Sequence, residues 1–181
     1  MATWQHPTLG GFEYDGSMAW RGTVESQVFT RFPGSTSRIN MLIEADDAED
    51  KPEGMILEVA MRVSENCEKL VMAGMQAFID DFNGTGPDSG MWWHGDMDSV
   101  MEYMVEDGYH GKIKSAGDLY QLLEKPDIVV QSRGYGFKNP CAIIGFESII
   151  DIEHGVGVLT DGNEVIGLGY RMDAGAYKHI E

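Results

Sequence analysis

The sequence predicts an α+β fold: a mostly antiparallel sheet with about three helices, in the order strands, helices, strands. Three observations carry this expectation. Apolar residues alternate with period two near both ends of the chain, but repeat every 3.6 residues between positions 64 and 83. Clusters of Gly, Pro, Asn and Asp separate the short apolar runs. Strands and helices are grouped rather than alternating, so the parallel sheets of βαβ architecture are not indicated. The 181 residues make one domain over 1–181, large enough to bury roughly two-thirds of the unfolded surface.

Taken in order, "GGFEYDGSMAW" reads as a hairpin whose turn, Asp15-Gly16, supplies the positive φ required. "AWRGTVESQVFTRF", "RINMLIEA" and "MILEVAMRV" read as strands. The acidic loop "EADDAEDKPEG" follows Ile43, and its Asp46, Asp47, Glu49 and Asp50 could surround a calcium ion. The EF-hand spacing and central Gly are missing, so a solvated loop is expected. A helix then places Cys67, Leu70, Val71, Gly74, Met75, Phe78, Ile79 and Phe82 on one face, with Ser64 as its cap and Asn83-Gly84 as its end. After the break "GTGPDSGMWWHG", a second helix is expected to begin near Asp96 and end before Gly108, with Met97, Val100, Met101 and Met104 on one face. A third, in "SAGDLYQLLEK", starts on a capping-box pair, Ser115 and Asp118, and stops before Pro126. "DIVVQSR", "CAIIGFESII", "GVGVLT" and "EVIGLGY" complete the sheet, the last two joined at Asp161-Gly162-Asn163.

Charge narrows the partners. With 30 acidic and 13 basic residues the chain carries -17, which disfavours nucleic-acid phosphates and anionic membranes and favours a basic protein. Cys67 and Cys141 lie far apart in apolar surroundings without metal-ligand spacing, as expected of two buried thiols in a reducing compartment. No signal peptide or apolar run of about 20 residues is evident, so the expected location is the cytoplasm.

No phosphate loop, dinucleotide fingerprint, zinc motif or nucleophile elbow is present, and no cofactor or metal is implied. "MWWHGD" puts Trp92, Trp93 and His94 in a glycine-bounded loop, a composition suited to ligand or partner contact, or to a small-molecule sensor. "DIEHG" crowds Asp151, Glu153 and His154 together. In an extended strand the two carboxylates share one face, while Ile150, Ile152 and His154 share the other. A bulge at Glu153-His154 would pair them as orienter and base of a metal-assisted hydrolase. Without it, His154 is structural, and Gly155 and Gly157 admit a close neighbour.

The stretch "DIEHGVGVLTDGNEVIGLGY" resembles the signature of a widespread bacterial family of uncharacterised domains: an acidic residue, Glu-His-Gly-x-Gly-Val, a hairpin, and a strand ending in Gly. "LGGFEYDGSMAWRGTV" is similar to that family's opening. The resemblance covers both ends and only loosely the centre. Ile150 stands where the family carries an aromatic, often Trp, and the insert "GTGPDSGMWWHGD" is particular to this chain. Some relatives look like immunity proteins encoded beside bacterial toxins. The resemblance therefore implies a non-enzymatic protein-binding role, with Asp151, Glu153, His154, Gly155 and Gly157 as the signature positions.

Overall fold

The computed structural model describes residues 2–14, 16–87, 102, 104–105, 111 and 113–180. The fold is α+β, on one sheet of nine strands lying in chain order. They are β1 (Ala2–His6), β2 (Gly10–Tyr14), β3 (Ala19–Glu25), β4 (Arg38–Glu44), β5 (Leu123–Gln131), β6 (Cys141–Ser148), β7 (Val156–Thr160), β8 (Val165–Tyr170) and β9 (Asp173–Ala176). Neighbours pair antiparallel except β4 and β5, which run parallel with Asn40 opposite Asp127. A parallel pair needs a crossover, and the connection that contains helix α1 (Gly54–Phe82) supplies it.

Helix α1 lies across β5 to β8. Its Val59, Val63, Cys67, Leu70, Val71, Met75, Phe78 and Phe82 are buried, against Ile128, Val130, Ile144, Phe146, Val156, Val158 and Leu168 of the sheet. Each such side chain contributes about 1.5–3 kcal/mol on leaving water. The helix comes close to the sheet at Gly74, where a β-carbon would stand 2.6 Å from Val158 Cγ2. Met41 and Ile43 extend this core, and Trp4, Phe12 and Trp20 close its N-terminal end, the Trp4 ring meeting those of Phe12 and Trp20.

The opposite face of the sheet changes character along its width. Over β1 to β4 it is polar and open, with Thr3, Gln5, Glu13, Arg21, Thr23, Arg38 and Asn40 exposed. Over β6 to β9 it carries a second, smaller core of Cys141, Ile143, Leu159, Ile166 and Ala174, closed by Phe137 and Ile180. Both thiols are buried and free; desolvation pushes Cys67 up to about 12 and Cys141 up to about 11.

The structure departs from the sequence expectation in the middle of the chain. "MILEVAMRV" is not a strand but the opening turns of α1, because Ile56, Val59, Ala60 and Val63 already fall on the stripe that continues through Cys67 and Leu70. The long helix therefore starts at Gly54 rather than after Ser64. Among the described residues there are two α-helices rather than three. Of the expected second one, Glu102, Met104 and Val105 are described and helical, with Met104 buried. The expected third is a 3-10 turn, Ala116–Gln121, whose Ser115 N–H does donate to the Asp118 carboxylate at 2.8 Å. Pro126 lies inside β5, at the irregularity between Glu124 and Asp127, where no ladder donor is required of it. Past Glu25, "SQVFTR" leaves the strand for a 3-10 turn, Gln27–Arg31, capped by Ser26. No described helix is long and apolar enough to cross a membrane.

Candidate functional site

"DIEHG" is a turn, not a strand end, and this overturns the two-face geometry expected of it. β6 stops at Ser148, whose hydroxyl accepts the Ile150 N–H at 3.0 Å. The Asp151 carboxylate then accepts the His154 N–H at 2.9 Å, and the Gly155 N–H donates to the Asp151 carbonyl at 2.9 Å. Such side-chain capping of the backbone competes with strand pairing. Gly155 leaves the turn at φ 65° with the Phe146 carbonyl where a β-carbon would sit, so only glycine fits. Gly157 lies in β7 opposite Gly145 and Gly169, against the Tyr170 carbonyl.

The turn unites Asp151 with His154 and leaves Glu153 apart. His154 Nδ1 lies 3.2 and 3.3 Å from the two Asp151 oxygens, and its ring centroid is 4.6 Å from that of Tyr170. The Asp151 side chain is mostly buried and the imidazole half-exposed. In neutral His154 this contact assigns the proton to Nδ1 and leaves Nε2 an acceptor. Asp151, not Glu153, is the orienting carboxylate.

Beside the turn lies a notch of roughly 400 Å³. Its floor is a charge network that no local sequence pattern announces. Arg171 reaches back from the β8–β9 turn, its stem crossing Gly145, where a β-carbon would stand 2.6 Å from Arg171 Cγ. Its guanidinium holds Asp127 through Nη2–Oδ2 at 2.7 Å and Nε–Oδ1 at 3.4 Å, and Glu147 through Nη1–Oε1 at 3.2 Å. Lys125 Nζ takes the other Glu147 oxygen at 2.7 Å. That Lys125 contact first, then Arg171, holds the Glu147 carboxyl below its usual range. Burial works to lower the Arg171 pKa, but Asp127 and Glu147 outweigh it and raise it. The one sequence hint was Gly145 inside an apolar strand, which signals close approach of another group.

Chemically the notch offers an oriented imidazole and the Glu153 carboxylate. Arg171, the nearby cation that could steady a developing negative charge, is committed to two carboxylates. Among the described residues no three His, Cys, Asp or Glu side chains converge as metal ligands. Trp92, Trp93 and His94 lie outside the described residues.

The acidic loop is fastened at the opposite end of the strands. Asp47 Oδ1 accepts the Glu49 and Asp50 N–H groups at 2.8 and 3.0 Å, Trp20 Nε1 donates to the Asp50 carbonyl at 2.8 Å, and the Tyr14 hydroxyl donates to that of Asp46 at 3.1 Å. Glu44, Asp46, Asp47, Glu49, Asp50, Glu53 and Glu58 are all exposed there; Lys51 is the one base within residues 44–58, and Arg62 pairs with Glu58 at 3.7 Å. Met55 is exposed on the same stretch, as is Met18, whose carbonyl accepts the Ala45 N–H. No family model matches the chain, and neither does any curated protein or solved structure.

Proposed function

We propose that the protein is a non-catalytic module that binds a basic protein partner, in the immunity-like manner its C-terminal signature implies. The observation that carries this reading is the acidic end from Glu44 to Glu58, with Met18 and Met55 exposed beside it. Concentrated carboxylates raise the encounter rate with a cationic surface by about 10- to 1000-fold at low ionic strength. Methionine side chains adapt their shape to an apolar contact. The hydrogen bonds from Trp20 and Tyr14 hold the loop in place before a partner arrives, which lowers the ordering cost of binding. Two buried reduced thiols fit a cytoplasmic setting.

The test uses the intact protein as bait, followed by identification and purification of what it captures. The reading requires a captured protein of basic isoelectric point whose association slows as salt rises. Changing Asp46→Asn, Glu49→Gln and Asp50→Asn together should slow association by about tenfold at low salt. A purified partner that is acidic, or whose association ignores both salt and the triple variant, refutes it.

A second reading, hydrolysis with His154 as general base, draws on the Asp151–His154 contact. It predicts bound metal in the purified protein and a hydrolytic activity abolished by His154→Ala; protein free of metal and of such activity rules it out.

A further inference from the structure

We infer that the notch beside the "DIEHG" turn is a socket for one cationic side chain, lysine or arginine, of a protein partner. The inference rests on the proposed basic partner but concerns a different surface. Asn40 pairs with Asp127 and Ile43 with Val130, so the notch and the acidic loop stand at opposite ends of the strands.

Three features define the occupant. The first is apolar: Ile152 and Met172 flank the opening and are 64% and 61% exposed, unusual for large apolar side chains in so charged a setting. They suit the aliphatic stem of a long basic residue, which packs along apolar surface while its head stays polar.

The second is hydrogen-bond arithmetic. Most side-chain donors bordering the notch are engaged: four of the five Arg171 N–H groups on Asp127, Glu147 and the Lys125 carbonyl, and His154 Nδ1 on Asp151. The acceptors at the mouth include the Glu153 carboxylate and, in neutral His154, Nε2. A surface whose donors are mostly engaged and whose acceptors wait favours a group that only donates, which describes ammonium and guanidinium.

The third is charge. Asp127 and Glu147 are balanced by Arg171 and Lys125, so with His154 neutral the charge left over is negative and comes from Glu153 at the mouth and Asp151 behind the imidazole. An anion would meet the Glu153 carboxylate first, whereas a cation is drawn to it. The bound head would stay partly hydrated, so one such contact is weak, with Kd on the order of 1 mM.

Titration of the isotope-labelled protein with Nα-acetyl-arginine amide, followed by amide NMR, tests this directly. The neutral isostere Nα-acetyl-citrulline amide is the control. Saturable shifts confined to residues 152–155 and 171–173 are expected, with the citrulline probe at least about fivefold weaker. Glu153→Gln should weaken the arginine probe by about as much without changing the melting temperature, because Glu153 is exposed. Met172→Ser should weaken both probes. Equal binding of the two probes, shifts elsewhere on the sheet, or an indifferent Glu153→Gln variant would each overturn the socket. The partner experiment fails separately: a protein captured through the acidic loop whose binding survives Glu153→Gln, with no arginine shifts, removes the socket and keeps the partner. Arginine shifts with no captured protein do the reverse.

Discussion

Asp151 does two things at once, accepting the His154 backbone N–H and facing the His154 ring. Asp151→Ala should therefore cost about 1–2 kcal/mol in denaturant unfolding, as loss of a cap does. His154→Ala, which removes a half-exposed ring, should cost less than about 1 kcal/mol. The reverse order would mean that the ring, not the carboxylate, holds the turn. Gly155→Ala should cost more than either, about 2–4 kcal/mol, since it combines a left-handed backbone with contact on the Phe146 carbonyl. A change within about 0.5 kcal/mol would be incompatible with the turn. The residues of the turn itself, Asp151, Glu153, His154 and Gly155, were visible in the sequence, but the pairing of Asp151 with His154 was not. Alternation suggested a strand, and the capping bond of Asp151 to a residue three positions on defeated it. Arg171, Asp127 and Glu147 meet only through strand register, which one sequence does not display.

Gly74 poses the sharpest test for an element. Alanine is the better helix former by about 1 kcal/mol, yet its β-carbon would come within 2.6 Å of the buried Val158 methyl. Helix and sheet would have to part, which costs about 1–3 kcal/mol. Gly74→Ala should therefore lower the unfolding midpoint despite the gain in propensity; a rise would show that Val158 gives way freely. Phe78→Ala, at the middle of the same interface, should cost about 3–5 kcal/mol. The helix was legible from Cys67 to Phe82 because charged residues mark its outer face. Its first turns were misread because Met55, Ile56, Leu57 and Val59 form a nearly unbroken apolar run, on which strand and helix periods look alike. β9, "DAGA", has no strand former at all and exists because β8 offers an edge to pair with.

For the molecule as a whole, the buried thiols and the paired carboxylates limit stability from opposite sides. Unfolded Cys67 would lose its proton near 9 and folded Cys67 near 12. Above pH 9 the unfolded state thus binds fewer protons, and stability falls as pH rises towards 12. Cys67→Ala should flatten that alkaline limb in unfolding measured between about pH 8 and 10.5, after allowance for its lower overall stability. Glu147 has the opposite sign: its folded pKa is depressed, so its contribution is complete above the unfolded value of about 4.3 and disappears as pH falls through the folded one. Glu147→Gln should make the acid limb shallower, and by little, because the group is nearly half exposed. At this scale the α+β class and the mostly antiparallel pairing were readable from turn residues and grouped periodicities. The parallel contact of β4 with β5 was not, since it joins residues more than eighty positions apart.

That single parallel seam divides the chain. Everything before it pairs strand by strand through β1 to β4, and everything after it through β5 to β9. The seam itself and the packing of α1 on β5 to β8 hold the two parts together. A protease site introduced between residues 87 and 113 should therefore yield two fragments that co-elute after cleavage. Once unfolded in urea, the intact chain should regain its structure at a rate independent of concentration. The cleaved one should do so by second-order kinetics, because nicking converts an internal closure into an encounter between two molecules.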